Sequence, residues 1–192
     1  MYKKRILLMA ILLPVLLQGF AQQAGTNSEK VSLRTNLLYW AVATPNLGVE
    51  WQPSDNWGIL VNGAYSHWIW NGEDKQHRTW LVQPEVRYYF SSPLWRPGGV
   101  WFIGAEFHAG QFNFKFNDTG YQGDALGGGI TGGYKLRLSH VFDLDFSLGL
   151  GYTSLKYEKY YRSNDVFVLK EGRLKKNVFA PTQLGVSLIF KL

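Results

Sequence analysis

The sequence predicts an all-β protein: one eight-stranded antiparallel up-and-down transmembrane β-barrel. Three observations predict it. The first is a period of two in hydrophobicity that recurs along the chain. In FDLDFSLGLGY (142–152), Phe142, Leu144, Phe146, Leu148, Leu150 and Tyr152 alternate with Asp143, Asp145, Ser147, Gly149 and Gly151. Successive side chains leave a strand on opposite faces, so this segment has one apolar face and one polar or small face. The second is composition. Phe, Trp and Tyr make up 16% of the chain and there are 21 glycines, a mixture that suits short strands, tight turns and rings at a lipid–water boundary. The third is the opening MYKKRILLMAILLPVLLQGFAQQ. A basic start (Lys3, Lys4, Arg5) leads into a run from Ile6 to Leu17 that is apolar apart from Pro14, and then into the small-residue site Gly19-Phe20-Ala21. That is a secretory signal peptide over residues 1–21, because a spanning helix needs roughly 20 apolar residues. Residues 22–30 are a short N-terminal segment, and the barrel occupies 31–192.

Charge and cysteine usage narrow the class. The chain has no cysteine, so no disulfide framework, no thiolate metal site and no cysteine-linked lipid anchor are expected. The formal charge of +6 drops to +3 once the signal peptide is removed, and residues 156–178 alone carry a net +4. The rest of the barrel is close to neutral. The sequence pI of about 9.4 therefore reports one basic segment, not a basic protein, and nucleic acid is not an expected partner.

The strands follow in order. VSLRTNLLYWA (31–41) sets Val31, Leu33, Leu37 and Tyr39 against Ser32, Arg34 and Asn36. NLGVEWQ (46–52) sets Leu47, Val49 and Trp51 against Gly48, Glu50 and Gln52. Pro53-Ser54-Asp55-Asn56 carries turn chemistry. In WGILVNGAYSHW (57–68), Trp57, Ile59, Val61 and Tyr65 oppose Gly58, Asn62, Ala64 and Ser66. In TWLVQPEVRYYF (79–90), Trp80, Val82, Val86, Tyr88 and Phe90 oppose Gln83, Glu85 and Arg87. Pro84 has no N–H to give the ladder, so a local irregularity is expected there. VWFIGAEFHAG (100–110) sets Trp101, Ile103, Ala105 and Phe107 against Gly104, Glu106 and His108. The phase then switches at Phe112, Phe114 and Phe116, which predicts a bulge near Gly110-Gln111. DALGGGITGGYKLRL (124–138), FDLDFSLGLGY and PTQLGVSLIFKL (181–192) complete the eight. Connections are expected at 53–56, 91–99 and 139–141 on one side. On the other side they fall at 41–45, 69–78, 117–123 and 156–178.

Which face meets water is not decided by alternation alone. A soluble periplasmic barrel binding an apolar ligand has the apolar row inside, whereas a membrane barrel has it outside. The signal peptide, the even strand count and the C-terminus favour the membrane. The ending Gln183-x-Gly185-x-x-Leu188-x-Phe190 is similar to the signal that outer-membrane barrels present to the barrel-assembly machinery. Tyr39, Trp57, Trp80, Phe90 and Trp101 stand at strand ends, where aromatic girdles form. The polar row then supplies a lumen network of Glu85, Arg87, Glu106, His108, Lys135, Arg137, Asp143 and Asp145. A turn centred on His140 pairs Arg137 with Asp143 and Lys135 with Asp145, and Glu85 and Arg87 are expected to meet Glu106. Buried opposite charges must pair, at a cost of several kcal/mol each if they do not.

Candidate chemistry is sparse. His108 and Glu106 share the polar face and suit either a lumen hydrogen-bond network or a His–carboxylate element; the network is the simpler reading. Ser66 and His67 are adjacent in a strand and point to opposite faces, so they cannot form a dyad. His77 lies in WNGEDKQHR, with nothing in the sequence to fix its partner. His67, His77, His108 and His140 lack metal-ligand spacing, and the glycines at 127–129 and 132–133 lack the Lys-Ser/Thr of a phosphate loop. No catalytic residue, metal or cofactor is assigned, and a lipid-A-modifying hydrolase stands as the remote alternative to a structural or surface-interaction role. The basic segment 157–177 offers Lys159, Arg162, Lys170, Arg173, Lys175 and Lys176 to lipopolysaccharide phosphates or to an acidic surface protein.

Six stretches together carry a family resemblance: TNLLYWAVATPNLGVE (35–50), WLVQPEVRYYF (80–90), IGAEFHAGQFN (103–113), YQGDALGGGITGGY (121–134), LGLGYTSLKYEKY (148–160) and KNVFAPTQLGVSLIF (176–190). The chain resembles the domain-of-unknown-function family 3575 (DUF3575) of Gram-negative bacteria over nearly all of its mature length. The resemblance implies an outer-membrane β-barrel located in the cell outer membrane, in contact with outer-membrane lipid and lipopolysaccharide, and it implies no established activity. Some relatives have cysteines in the last outer loop, a staple this chain lacks. Others continue into a peptidoglycan-binding domain, for which this sequence shows no counterpart.

Overall fold

The computed structural model describes residues 30–70, 75–91, 98–115, 119–163 and 166–192. The expected signal peptide lies outside them. The chain runs β1 (Val31–Asn36), α1 (Leu37–Ala41), β2 (Asn46–Trp51), β3 (Trp57–Trp70), β4 (Lys75–Tyr89), β5 (Gly99–Lys115), β6 (Thr119–Arg137), β7 (Phe142–Ser163) and β8 (Val166–Lys191). The eight strands pair in sequence order, every pair antiparallel, and β8 pairs with β1 to close the barrel. Leu192 N donates to Val31 O at 3.0 Å, so the first and last strand ends meet at one rim.

Residues 53–56 turn between β2 and β3, and Asn56 Nδ2 ties that turn to Tyr89 O at 2.8 Å. The β6–β7 turn centres on His140, and Arg137 faces Asp143 and Lys135 faces Asp145 in the ladder. Both features follow the sequence reading.

Burial is inverted relative to a water-soluble barrel. Arg87 and Asp145 are 0% exposed, while Leu148 is 50%, Ile130 59% and Phe179 70% exposed. Water would expel that outer surface, and a hydrocarbon surround accepts it. The polar row is therefore the interior, and a soluble barrel with an apolar ligand inside does not fit. On β7 the outward apolar run extends from Phe142 to Tyr152, and along β4 and the residue after it from Trp80 to Phe90, eleven residues each. A tilted strand of roughly 9–11 residues crosses the hydrocarbon core.

Aromatic rings frame the belt. Trp57 meets Tyr88 edge-on, Tyr88 meets Phe90, Trp101 meets Tyr134, and Phe142 meets Phe190 near the rim that holds the termini. Tyr65, Trp80, Tyr152 and Phe179 are exposed at the opposite border. Tyr39 is not in a girdle. It sits on α1 and lines the lumen beside Arg34 and Gln83.

Three expectations need correction. The first strand stops at Asn36, whose side chain accepts from Leu38 N and caps α1. LLYWA has lost the alternation of a strand, and the helix folds its ring into the lumen instead. The expected loops 69–78, 117–123 and 156–178 are largely strand: β3 reaches Trp70 before β4 begins at Lys75, and β7 and β8 span 22 and 26 residues. There is no bulge at Gly110-Gln111, since the registers of β5 with β4 and with β6 run through it unshifted. The apolar residues change face there because the surroundings change: beyond the lipid the outward Gln111 and Asn113 meet water. Pro84 interrupts the β4–β5 ladder between Val82 and Glu85 without changing register. Register shifts fall instead in the β7–β8 pair: one leaves Thr182 unpaired next to Pro181, where a missing donor is tolerated, and two more lie between Tyr157 and Tyr160.

Candidate functional site

The interior is built from the inward residue of every second position. Near the rim with the termini, Arg34, Glu50, Glu85, Arg87, Lys135 and Asp145 form one cluster, each 4% exposed or less. Arg87 Nε donates to Glu85 Oε1 at 2.7 Å and Nη2 to Oε2 at 3.1 Å, while Nη1 donates to Asp145 Oδ2 at 2.6 Å. Arg34 Nη2 reaches Asp145 Oδ1 at 3.1 Å and Lys135 Nζ reaches Glu50 Oε1 at 2.6 Å. Three cations face three anions. Thr131 Oγ1 donates to Glu85 Oε1 at 2.6 Å, and Tyr89 donates its hydroxyl to Glu50. The guanidinium of Arg87 also lies 3.9 Å from the centre of the Phe102 ring.

Toward the opposite rim, His108 Nδ1 lies 3.0 Å from Glu106 Oε2 and His108 Nε2 lies 2.9 Å from Thr153 Oγ1. Gln83 Nε2 donates to Glu106 Oε2 at 3.1 Å and to Gln183 Oε1 at 3.3 Å. Both ring nitrogens of His108 are thus engaged in the lumen network. Ser66 is 2% exposed inside and His67 is exposed outside, so the pair is divided by the sheet. A cavity beside Gln83 and Gln183 in this part of the lumen holds about 20 Å³, little more than one water needs.

The structure brings all eight expected lumen residues to the interior or its rim, but with different partners. Lys135 pairs with Glu50 and not with Asp145, and Asp143 pairs with Lys191 at 3.1 Å and not with Arg137. Arg87 and Glu85 meet each other and Asp145, while Glu106 meets His108 and Gln83. Long side chains reach across the barrel, and cross-strand neighbours alone do not predict that. Arg34 and Glu50, inward on β1 and β2, complete the cluster and were legible from their alternation. Of the C-terminal pattern, Gln183 and Gly185 face the lumen, while Leu188 and Phe190 are partly exposed on the other face.

Beyond the belt, β3 to β8 continue without β1 and β2. About eleven residues of β7 continue past Tyr152, on the order of 35 Å along the strand. A cleft of about 750 Å³ lies on this protruding sheet. Three successive cross-strand rows line it: Tyr65–Trp80–Gln111–Asp124–Lys156–Lys175, then Ser66–Thr79–Phe112–Gly123–Tyr157–Leu174, then His67–Arg78–Asn113–Gln122 with Glu158. Trp80 Nε1 donates to Gln111 Oε1 at 2.9 Å, and Gln111 Nε2 donates to Asp124 Oδ1 at 2.8 Å. Asn113 Nδ2 donates to Gln122 Oε1 at 3.3 Å and accepts from the Tyr160 hydroxyl. Burial raises the Tyr160 hydroxyl above its ordinary range and lowers the His77 imidazole below its own. The basic segment expected as a loop is the β7–β8 hairpin. Lys175 and Lys176 are exposed and Lys159 is half-buried. The side chains of Arg162, Lys170 and Arg173 lie outside the described set. No cluster of three or more His, Asp or Glu suited to a metal ion occurs among the described residues.

A closed barrel with an apolar exterior and a charged, filled interior defines a small transmembrane β-barrel protein. The chain belongs to the family described as protein of unknown function (DUF3575), whose family model matches residues 7–192. No curated protein matches it in sequence. Among solved structures it is similar to the N-terminal β-barrel domain of Pseudomonas aeruginosa OprF, at 11% identity and a TM-score of 0.50, covering 86% of this chain and 98% of that one. It is also similar to Neisserial surface protein A (NspA), at 10% identity and a TM-score of 0.44, covering 87% of this chain and 100% of that one.

Proposed function

We propose that this protein is a small bacterial outer-membrane barrel with a sealed lumen, serving as a structural and surface-interaction module and not as a pore or an enzyme. The single observation that carries this is the inverted interior: six buried charges paired around Arg87 and Asp145, enclosed by an apolar belt. An eight-stranded barrel has room only for its own inward side chains, and here they leave about 20 Å³ in the cavity beside Arg34 and Tyr39. The signal peptide supports export, and closed barrels with even strand numbers are the β-form that bacterial outer membranes accept. The C-terminal strand, with Leu188 and Phe190 turned outward, suits recognition by the barrel-assembly machinery. The rim holding both termini faces the periplasm in this reading, and the protruding β3–β8 sheet faces the outside.

The test is fractionation of cells expressing the full chain, with gel mobility before and after boiling, followed by conductance of the purified barrel in planar bilayers. Recovery in the outer membrane, a heat-dependent mobility shift and no steady channel current are expected. Recovery in the soluble periplasm, or a stable open channel, contradicts the proposal.

A further inference from the structure

We propose that the cleft on the protruding sheet is a binding site for a phosphorylated sugar. That the site faces the cell exterior rests on the surface reading above; the binding itself does not. The first support is the size and chemistry of the cleft. Its volume of about 750 Å³ falls within the roughly 300–1,000 Å³ of ligand sites. Aromatic side chains, Tyr65 and Trp80, stand beside amides, Gln111 and Asn113, whose orientations are fixed by the hydrogen bonds from Trp80 and Tyr160. A pyranose ring offers an apolar face for stacking and hydroxyls that donate and accept, and amides match both roles.

The second support is independent and concerns charge. Lys156 stands directly opposite Lys175 in the β7–β8 ladder. Directly opposed like charges destabilise a sheet. Asp124 stands opposite Lys156 in the β6–β7 ladder and Glu158 also lines the cleft, but neither lysine has a carboxylate within ion-pair distance among the described residues, and Arg78 Nε is buried without an acceptor among them. All three cations line the same cleft. A phosphate group takes charge-assisted hydrogen bonds from lysine and arginine and removes the repulsion. The lining carries three cations against the carboxylates Asp124 and Glu158; a neutral sugar leaves that positive excess unmatched, and a free phosphate leaves the aromatic and amide rows unused. The sugar can arrive on a membrane glycolipid, since Tyr65 and Trp80 border the belt, or as a free oligosaccharide.

The experiment is calorimetric titration of the full chain folded in detergent micelles. The probes are a deacylated, phosphorylated lipopolysaccharide core oligosaccharide, the same oligosaccharide after dephosphorylation, inorganic phosphate, and intact lipopolysaccharide. The phosphorylated oligosaccharide is expected to bind, at least tenfold more tightly than its dephosphorylated form. The Lys156→Gln/Lys175→Gln variant loses at least tenfold, and Trp80→Leu weakens binding of both oligosaccharides. Comparable binding of intact lipopolysaccharide identifies the glycolipid as a source; binding of the oligosaccharide alone identifies the free sugar. Equal binding before and after dephosphorylation, an unchanged double variant, inorganic phosphate binding as tightly as the oligosaccharide, or binding of the intact lipid alone overturns the proposal. Heat-dependent gel mobility of each variant separates loss of the site from loss of the fold. Because the titration is done in micelles, it stands whether or not the fractionation supports the outer membrane.

Discussion

Arg87→Met is the sharpest test of the interior. The guanidinium is 0% exposed and holds Glu85 through two hydrogen bonds, at 2.7 and 3.1 Å, and Asp145 through one at 2.6 Å. Methionine keeps much of the volume against Phe102 and removes the charge, so the cluster becomes one negative charge in excess. Breaking a buried ion network by removing one partner costs about 3–5 kcal/mol. Asp145 retains Arg34 at 3.1 Å and Glu85 retains the Thr131 hydroxyl at 2.6 Å, which places the expected loss near the middle, at about 4 kcal/mol. Adding Glu85→Gln restores charge balance among Arg34, Lys135, Glu50 and Asp145. The double variant should recover more than half the loss, because residues in one network couple and are not additive. The assay is urea unfolding in lipid vesicles followed by tryptophan fluorescence. A single variant within about 1 kcal/mol of wild type, or a double variant no better than the single, would refute the reasoning that the six charges stabilise each other as a unit.

Other predictions follow from the same geometry. Leu148→Arg, on the lipid face, should lower stability by about 2–4 kcal/mol in vesicles, and a loss under 1 kcal/mol would place Leu148 off the membrane. Gly133→Ala should cost about 3 kcal/mol or more, because an added Cβ collides with Phe146 O and the Phe102 ring. Its neighbour Gly132→Ala should be well tolerated, since the nearest atom, Phe102 O, stands at 3.7 Å. Unfolding midpoints of the two should therefore diverge, and equal midpoints would count against the registers. His77 is held below its ordinary range by burial, so the folded state binds its proton less readily than the unfolded chain. Its stabilising contribution is present above about pH 6.5, the ordinary value, and is lost as the pH falls from there through the lower value of the folded state. Once corrected for the slower intrinsic exchange at low pH, protection of the amides in the turn around Thr44, which lies 3.5 Å from His77 Nε2, should fall at pH 5, and His77→Gln should abolish the difference.

Period-two alternation made the belt legible because lipid and lumen impose opposite demands on adjacent residues. It located the membrane-crossing part of every strand and the β6–β7 register. It failed where those demands stop. Above the membrane both faces of a strand meet polar surroundings, so 69–78 and 156–178 read as loops although their described residues are strand. The phase change at Gln111 marked that boundary and resembled a bulge. Helix α1 left a readable trace, the unbroken apolar run Leu37 to Ala41 after Asn36, but a short apolar run does not choose between helix and strand. The lumen residues were legible from their face, and their ion partners were not, because Arg87 to Asp145 and Lys135 to Glu50 are contacts across the barrel set by closure.

The central claim, that apolar residues face lipid and polar residues a filled lumen, is tested most directly on 142–152. The chain has no cysteine, so single cysteines can be placed at 144 to 150 and spin-labelled without other changes. In vesicles, labels at Leu144, Phe146, Leu148 and Leu150 should be accessible to oxygen dissolved in the bilayer, and labels at Asp145, Ser147 and Gly149 should be shielded from it. The reverse alternation, or shielding at every position, would contradict the account.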